Sequence, residues 1–239
     1  MILIVDPITT PTADLRALPP ERGAELFLRA IRAVGRDLLY SPEATWERYR
    51  SESLPPGQLR LVVEALDVYL AELPEFARVS VLGLGHDGRG TFTRKVLTAP
   101  DESQEAGVLE AFWKIAAVAA RRNCTIVSFG GTTFGGPFLL RRSRLMGLTP
   151  SIPIPLGRYR PEAHFDVSAV LANWSRGQEF SLELWATQYG VAGPWERDTA
   201  GAIRDHVLAG ELAQATALAA ARLEAIHALY ERLAPAYAA

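Results

Sequence analysis

The sequence predicts a mixed α/β fold, with helices packed on a sheet and a helical insertion after the first strand. Three observations predict it. The apolar run Met1-Ile-Leu-Ile-Val ends in Asp6 and is followed at once by a polar, Pro-containing turn, the pattern of a buried strand that delivers a carboxylate to the edge of a sheet. Strand-like alternation returns only at Ala77, and the stretch from about 21 to 73 carries helical signals instead. From Ala77 onward the order is hairpin, helix, strand, helix, strand and helices, which fits one mixed α/β domain over residues 1–239.

The elements follow in order. Pro11 to Pro20 is a turn-rich connection, and Pro19-Pro20-Glu21-Arg22 opens a helix, with proline in the first turn and acid near the positive end of the dipole. Leu26, Ile31, Val34 and Leu38 form its apolar stripe. Ser41-Pro42 starts a short helical piece around Trp46, which Leu54-Pro55-Pro56-Gly57 ends. A third helix runs from about Gln58 to Leu73, with Leu61, Val62, Leu66, Val68, Tyr69 and Leu70 facing mostly inward. Ala77 to Leu84 alternates as a strand, His86 to Gly90 is a turn containing Asp-Gly, and Thr91 to Thr98 is the returning strand. Glu102 to Arg121 is a helix with Val108, Leu109, Phe112, Ile115, Ala116 and Ala119 on or near one face. Cys124 to Phe129 reads as a central strand. The glycine-rich stretch Gly130 to Pro137 then leads into a helix carrying Leu139 to Met146. A Pro-rich loop spans Pro150 to Pro161, and His164-Phe165-Asp166 lies in the segment after it. Ser181 caps a short helix to Tyr189, and a last long helix runs from near Glu211 to about Leu233.

With 239 residues the chain can bury a full-sized core. A net charge of -2 gives no global attraction to nucleic acid, so any polyanion site must be a local cluster. Its basic residues are nearly all arginine, which suits bidentate phosphate contacts and also follows from a GC-rich genome. Cys124 is the only cysteine, which excludes an internal disulfide and a cysteine zinc site and suggests a small buried hydrophobe. The N-terminus lacks signal-peptide character, and charges interrupt the Ala-rich C-terminus, so a cytoplasmic protein without a membrane span is expected.

Several segments, in the right order and covering nearly the whole chain, resemble the predicted 3′–5′ exonucleases of the family-B-polymerase-like type. That family belongs to the DEDD superfamily with a ribonuclease H-like fold. Ile2 to Pro11 resembles its first strand, which reads apolar residues, Asp, any residue, Glu, Thr. Val127-Ser-Phe-Gly-Gly-Thr-Thr-Phe-Gly135 resembles its second motif, usually Phe-Asn-Gly, two variable residues and Phe-Asp. Tyr159-Arg160, His164-Phe165-Asp166, Ser181 to Leu184 and Ala209 to Leu212 continue the likeness. The resemblance implies a ribonuclease H-like mixed sheet flanked by helices. It also implies a site where four carboxylates hold two divalent cations that activate water.

This chain departs from that chemistry. Asp6 matches the first acid, but Ile8 stands in place of the glutamate, Gly135 in place of the second aspartate, and Arg222 in place of the last. No residue is therefore assigned a catalytic role, and no metal or cofactor is expected. Asp6 would be the ligand if any is, with magnesium or manganese the ion only if an active exonuclease with relocated ligands is correct. Arg222 either pairs with Asp6, directly or through one water, or snorkels to solvent. Thr9 and Thr132 sit beside the family's substrate contacts. The densest basic region is Arg141, Arg142 and Arg144 with Arg158 and Arg160, and Tyr159 adds a base-stacking surface. The alternative for that region is a solvated helix face. These residues make single-stranded nucleic acid the expected ligand, with a protein partner on the helical insertion as the other possibility. His86 reads as a turn residue, His206 and His227 as helix-surface residues, and Trp174, Trp185 and Trp195 as core or interface aromatics.

Overall fold

The computed structural model describes residues 1–12, 14–34, 38–88, 90–175, 180–195 and 198–237. Arg89 of the expected turn and the side chain of Val34 in the expected stripe lie outside the described residues. The fold is α/β, a mixed sheet flanked by helices. Among the described residues the sheet has five strands in the order β3-β2-β1-β4-β5. These are β1 (Ile2–Pro11), β2 (Ala77–Gly88), β3 (Thr91–Thr98), β4 (Thr125–Ser128) and β5 (His164–Asp166). β1 runs parallel to β4 and β4 to β5, while β2 and β3 form an antiparallel hairpin.

The first strand differs from its expectation. It does not stop at Asp6 but continues through Pro7 to Pro11, and it lies at the centre of the sheet. Its register with β4 pairs Ile2 to Ile4 with Thr125 to Val127, so Pro7 lies past that pairing and its missing N–H costs no bond there. Asp6 consequently sits where β1 outruns β4. This is the carboxyl end of the parallel strands, the usual place for functional groups in such sheets.

The chain forms two compact units. One is Thr10–Arg78, and its α-helices among the described residues are α1 (Pro20–Val34), α2 (Pro42–Arg50) and α3 (Pro56–Ala71). Phe27, Trp46, Tyr49, Leu15, Leu66 and Leu70 build its core, and Gly23 lets α1 approach closely, since a Cβ there would lie 2.6 Å from the Leu15 carbonyl. Ser41 caps α2 by accepting from the Ala44 N–H, as its position before proline predicts. Val68 is exposed rather than inward-facing, because the buried row of α3 runs Val62, Ala65, Leu66 and Leu70.

The other unit comprises Met1–Thr9 and Val79–Ala239. It contains α4 (Glu102–Arg121), α5 (Gly136–Leu145), α6 (Val167–Leu171), α7 (Leu182–Gln188), α8 (Thr199–Leu208) and α9 (Leu212–Leu233). Side chains alternate across β1 and sort the helices onto two faces. Ile2 and Ile4 pack with Leu223, Ile226 and Leu229 of α9, and Ile8 packs with Ile203, Val207, Ala215 and Ala219 of α8 and α9. Leu3 and Val5 point the other way, toward Phe112 and Ala116 of α4 and Leu139 of α5. Asp6 shares the parity of Ile4 and Ile8, so it lies on the α9 face. The helix α8 is an addition to the sequence reading. Among the described residues no helix is long and apolar enough to cross a membrane.

Candidate functional site

Arg222 lies on the buried face of α9, in a row with Ala215, Ala219, Leu223, Ile226 and Leu229. The small alanines on this row let the helix approach its neighbours closely, and only 6% of Arg222 remains exposed. Burial would push its proton off, but Asp6 first, then Glu183, hold its pKa above the ordinary arginine value. Arg222 Nε donates to Asp6 Oδ2 at 2.8 Å and Nη2 to Asp6 Oδ1 at 3.3 Å, a two-pronged pair with the carboxylate of β1. The snorkelling alternative is thereby excluded.

Two residues that sequence reading did not single out complete this cluster. Arg222 Nη1 donates to Glu183 Oε1 at 3.2 Å and to Thr199 Oγ1 at 2.9 Å. Glu183 also accepts the Thr199 N–H at 3.1 Å and the Thr199 hydroxyl. Its carboxylate thus sits at the N-terminus of α8, where the helix dipole favours a negative charge. Burial raises the Glu183 pKa, but the bonds from Thr199 and the charge of Arg222 outweigh it and leave the value below the ordinary one. The Ser-Leu-Glu-Leu match contained Glu183, yet a partner 39 positions away gives no local signal.

Gly135, where the sequence resemblance would expect an acid, lies beside β1. A Cβ there would stand 3.1 Å from Pro7 Cγ, so an acid at this place would press on the residue next to Asp6. The loop before it is folded around a carboxylate of the chain itself. Asp166 accepts the Gly130 N–H at 2.8 Å, the Thr132 N–H at 2.8 Å and the Thr132 hydroxyl at 2.6 Å. Gly130 has φ of 72°, which allows the sharp entry into this turn. Next to it, the His164 Nε2 to Ser128 Oγ distance is 2.7 Å, and Nδ1 is 2.7 Å from the Pro155 carbonyl. The carbonyl can only accept, so Nδ1 carries a proton and, in the neutral ring, Nε2 accepts from Ser128. Burial lowers the His164 pKa and keeps that neutral form, with Asp166 opposing. Gly131 makes room for the pair, because a Cβ there would lie 2.0 Å from Ser128 Oγ.

The expected binding residues divide. Thr9 is buried in β1, and its carbonyl accepts from Arg204 Nε at 3.0 Å. Thr132 is held by Asp166. Arg142 turns inward and grips the fully buried Glu105 with Nε at 3.0 Å and Nη2 at 2.7 Å. Arg141 and Arg144 lie on the exposed side of α5, and Arg158, Tyr159 and Arg160 are exposed on the loop before β5. The Arg158 guanidinium lies 5.2 Å from the centre of the Tyr159 ring, and that ring is 5.4 Å from Trp174. Arg158, Trp174, Thr132, Thr133 and Gly130 line a pocket of about 190 Å³. Tyr159 and Trp174 both have positive φ, at 62° and 54°, an uncommon backbone state for bulky residues that is over-represented where a chain is shaped for a ligand.

Neither a protein-family model nor a curated protein matches this chain.

Proposed function

We propose that this chain is a ribonuclease H-like, 3′–5′ exonuclease-type module that has given up two-metal hydrolysis and acts by binding single-stranded nucleic acid. The carrying observation is the guanidinium of Arg222 bonded to both oxygens of Asp6, the one motif acid retained. Two dications need several oxygen donors to offset their mutual repulsion. Here the neighbouring positions are Ile8, packed under α8 and α9, and Gly135, packed on Pro7. A fixed cation already pairs with both Asp6 and Glu183 and fills the space between them, so the residues do not fit the metal pair. The mixed sheet, its central Asp-bearing strand and the helices that directly follow that strand support the fold reading.

The binding half of the proposal rests on the Arg158, Tyr159 and Arg160 loop and the pocket it borders. Exposed guanidinium groups supply phosphate contacts, and Tyr159 and Trp174 supply faces on which bases stack. Labelled single-stranded DNA and RNA incubated with the purified chain and a magnesium or manganese titration test both halves together. Strands should stay intact and bind with an affinity that falls as salt rises. Degradation that disappears in Asp6→Ala would overturn the proposal in favour of an active exonuclease with relocated ligands. Absence of both degradation and binding would instead point to a protein-interaction role, with the helical unit from Glu21 to Leu73 as the contact surface.

A further inference from the structure

A second cluster lies at the far end of the same sheet face and is independent of the reading above. His227 and Glu231 stand four residues apart on α9, which puts them on one side of the helix, and Asp87 reaches them from the end of β2. His227 Nε2 is 3.2 Å from Asp87 Oδ2 and 3.8 Å from Glu231 Oε1, and one donor atom from each of the three residues lies within 4.8 Å of the others. Those separations are close to what three ligands around a single small cation require, given bond lengths of about 2.0–2.2 Å to nitrogen and oxygen.

Two further features distinguish the cluster from an ordinary surface ion pair. Asp87 Oδ1 is buried and has no hydrogen-bond partner among the described residues, a costly condition for a carboxylate oxygen. The His227 ring is stacked on Phe92, with centroids 4.2 Å apart and planes 6° from parallel, so its Nε2 is aimed before any ligand arrives. The residues therefore meet a cation with one imidazole nitrogen and two carboxylates on rigid elements.

We propose that Asp87, His227 and Glu231 form a binding site for a zinc-class divalent cation, clamping the second half of α9 to the end of β2. The imidazole selects against magnesium and calcium, which prefer all-oxygen shells, and favours zinc or its neighbours. Two carboxylates balance the charge of one dication. Three protein ligands leave one tetrahedral position for water.

The test is calorimetric titration of the metal-stripped full chain with Zn²⁺ alone, paired with Co²⁺ as a spectroscopic probe. One equivalent should bind and raise Tm, and Co²⁺ should give the intense visible bands of a four-coordinate site. Glu231 is exposed, so Glu231→Gln keeps the fold while weakening Zn²⁺ binding by about tenfold or more, and Asp87→Asn does the same. Glu110→Gln, at an exposed carboxylate on α4, should leave the affinity unchanged. Lack of saturable Zn²⁺ binding, or binding of equal strength in Glu231→Gln and Asp87→Asn to that of the unaltered chain, would overturn the proposal. Equal affinity for Mg²⁺ would overturn the assignment of metal class.

Discussion

Replacing Arg222 by Met tests whether the buried guanidinium is the keystone of the α9–β1 contact. Methionine keeps much of the length and apolar volume but removes the charge and four donor contacts: two to Asp6, one to Glu183 and one to Thr199. Hydrogen bonds to charged groups contribute roughly 1.5–3 kcal/mol each, though desolvation of the guanidinium cancels much of their sum. What remains is the cost of leaving Asp6 and Glu183 buried with no cation, and breaking a buried pair in this way costs about 3–5 kcal/mol. Urea denaturation followed by far-UV circular dichroism and tryptophan emission measures it, and coincident transitions by the two probes are needed because the chain has two compact units. The defect should shrink at low pH, where the two orphaned carboxyls can take up protons. A triple variant with Asp6→Leu, Glu183→Leu and Arg222→Met should recover wild-type stability or exceed it by about 1–4 kcal/mol, since a matched apolar set removes the desolvation cost altogether. A loss below about 1 kcal/mol in Arg222→Met, the range of a solvent-exposed ion pair, would refute the reasoning.

Other perturbations separate the remaining roles. Arg158→Ala and Tyr159→Ala should each weaken single-strand binding, the tyrosine by roughly 1–3 kcal/mol for one lost stacked base, measured by fluorescence anisotropy at fixed salt. Arg142→Ala should not change binding beyond its effect on folding; instead it strands the fully buried Glu105 and should cost about 3–5 kcal/mol in a urea melt. Asp166→Asn should free the Gly130 to Thr132 turn, seen as faster amide exchange at those two residues, because two N–H groups and a hydroxyl lose their charged acceptor. Stability should fall on acidification in two stages. His164 is held below its ordinary 6.5, so the stability it contributes is complete above that pH and is lost as pH drops toward its folded value; Glu183, held below 4.5, adds a second loss below that pH. His164→Asn should flatten the first stage and leave the second.

The legibility of the fold follows the range of the forces involved. Helices α1 to α5, α7 and α9 show in the sequence because their apolar spacing and caps are local, and Ser41 and Ser181 cap as their positions suggest. The first strand reads too short because Pro7 looks like a strand breaker. Its tolerance depends on β4 ending earlier, which is a property of a partner more than a hundred residues away. The helix α8 escapes a sequence reading because its caps are ordinary but its buried face is only Thr199, Ile203 and Val207, too sparse for a periodic signal.

The candidate site shows the same division between local and distant information. Asp6 is visible as a lone acid after an apolar run, and Arg222 as a cation on an otherwise apolar helix face, so their pairing follows from requiring each buried charge to have a partner. The same requirement reaches further than that one pair. A guanidinium has five N–H donors, and Asp6 takes only two of its directions; the third nitrogen, Nη1, demands another acceptor. Glu183 and Thr199 meet that demand, and Glu183 in turn is anchored by the first N–H of α8. The cluster is therefore a closed circuit of three elements on β1, with α9 supplying the cation, α7 the second carboxylate and α8 the dipole and hydroxyl. Arg222→Asp would add a third carboxylate to those of Asp6 and Glu183 against the end of α8, with no cation between them. That variant should accordingly cost more stability than Arg222→Met in the same urea assay, and an equal or smaller loss would show that the two carboxylates do not depend on the cation between them.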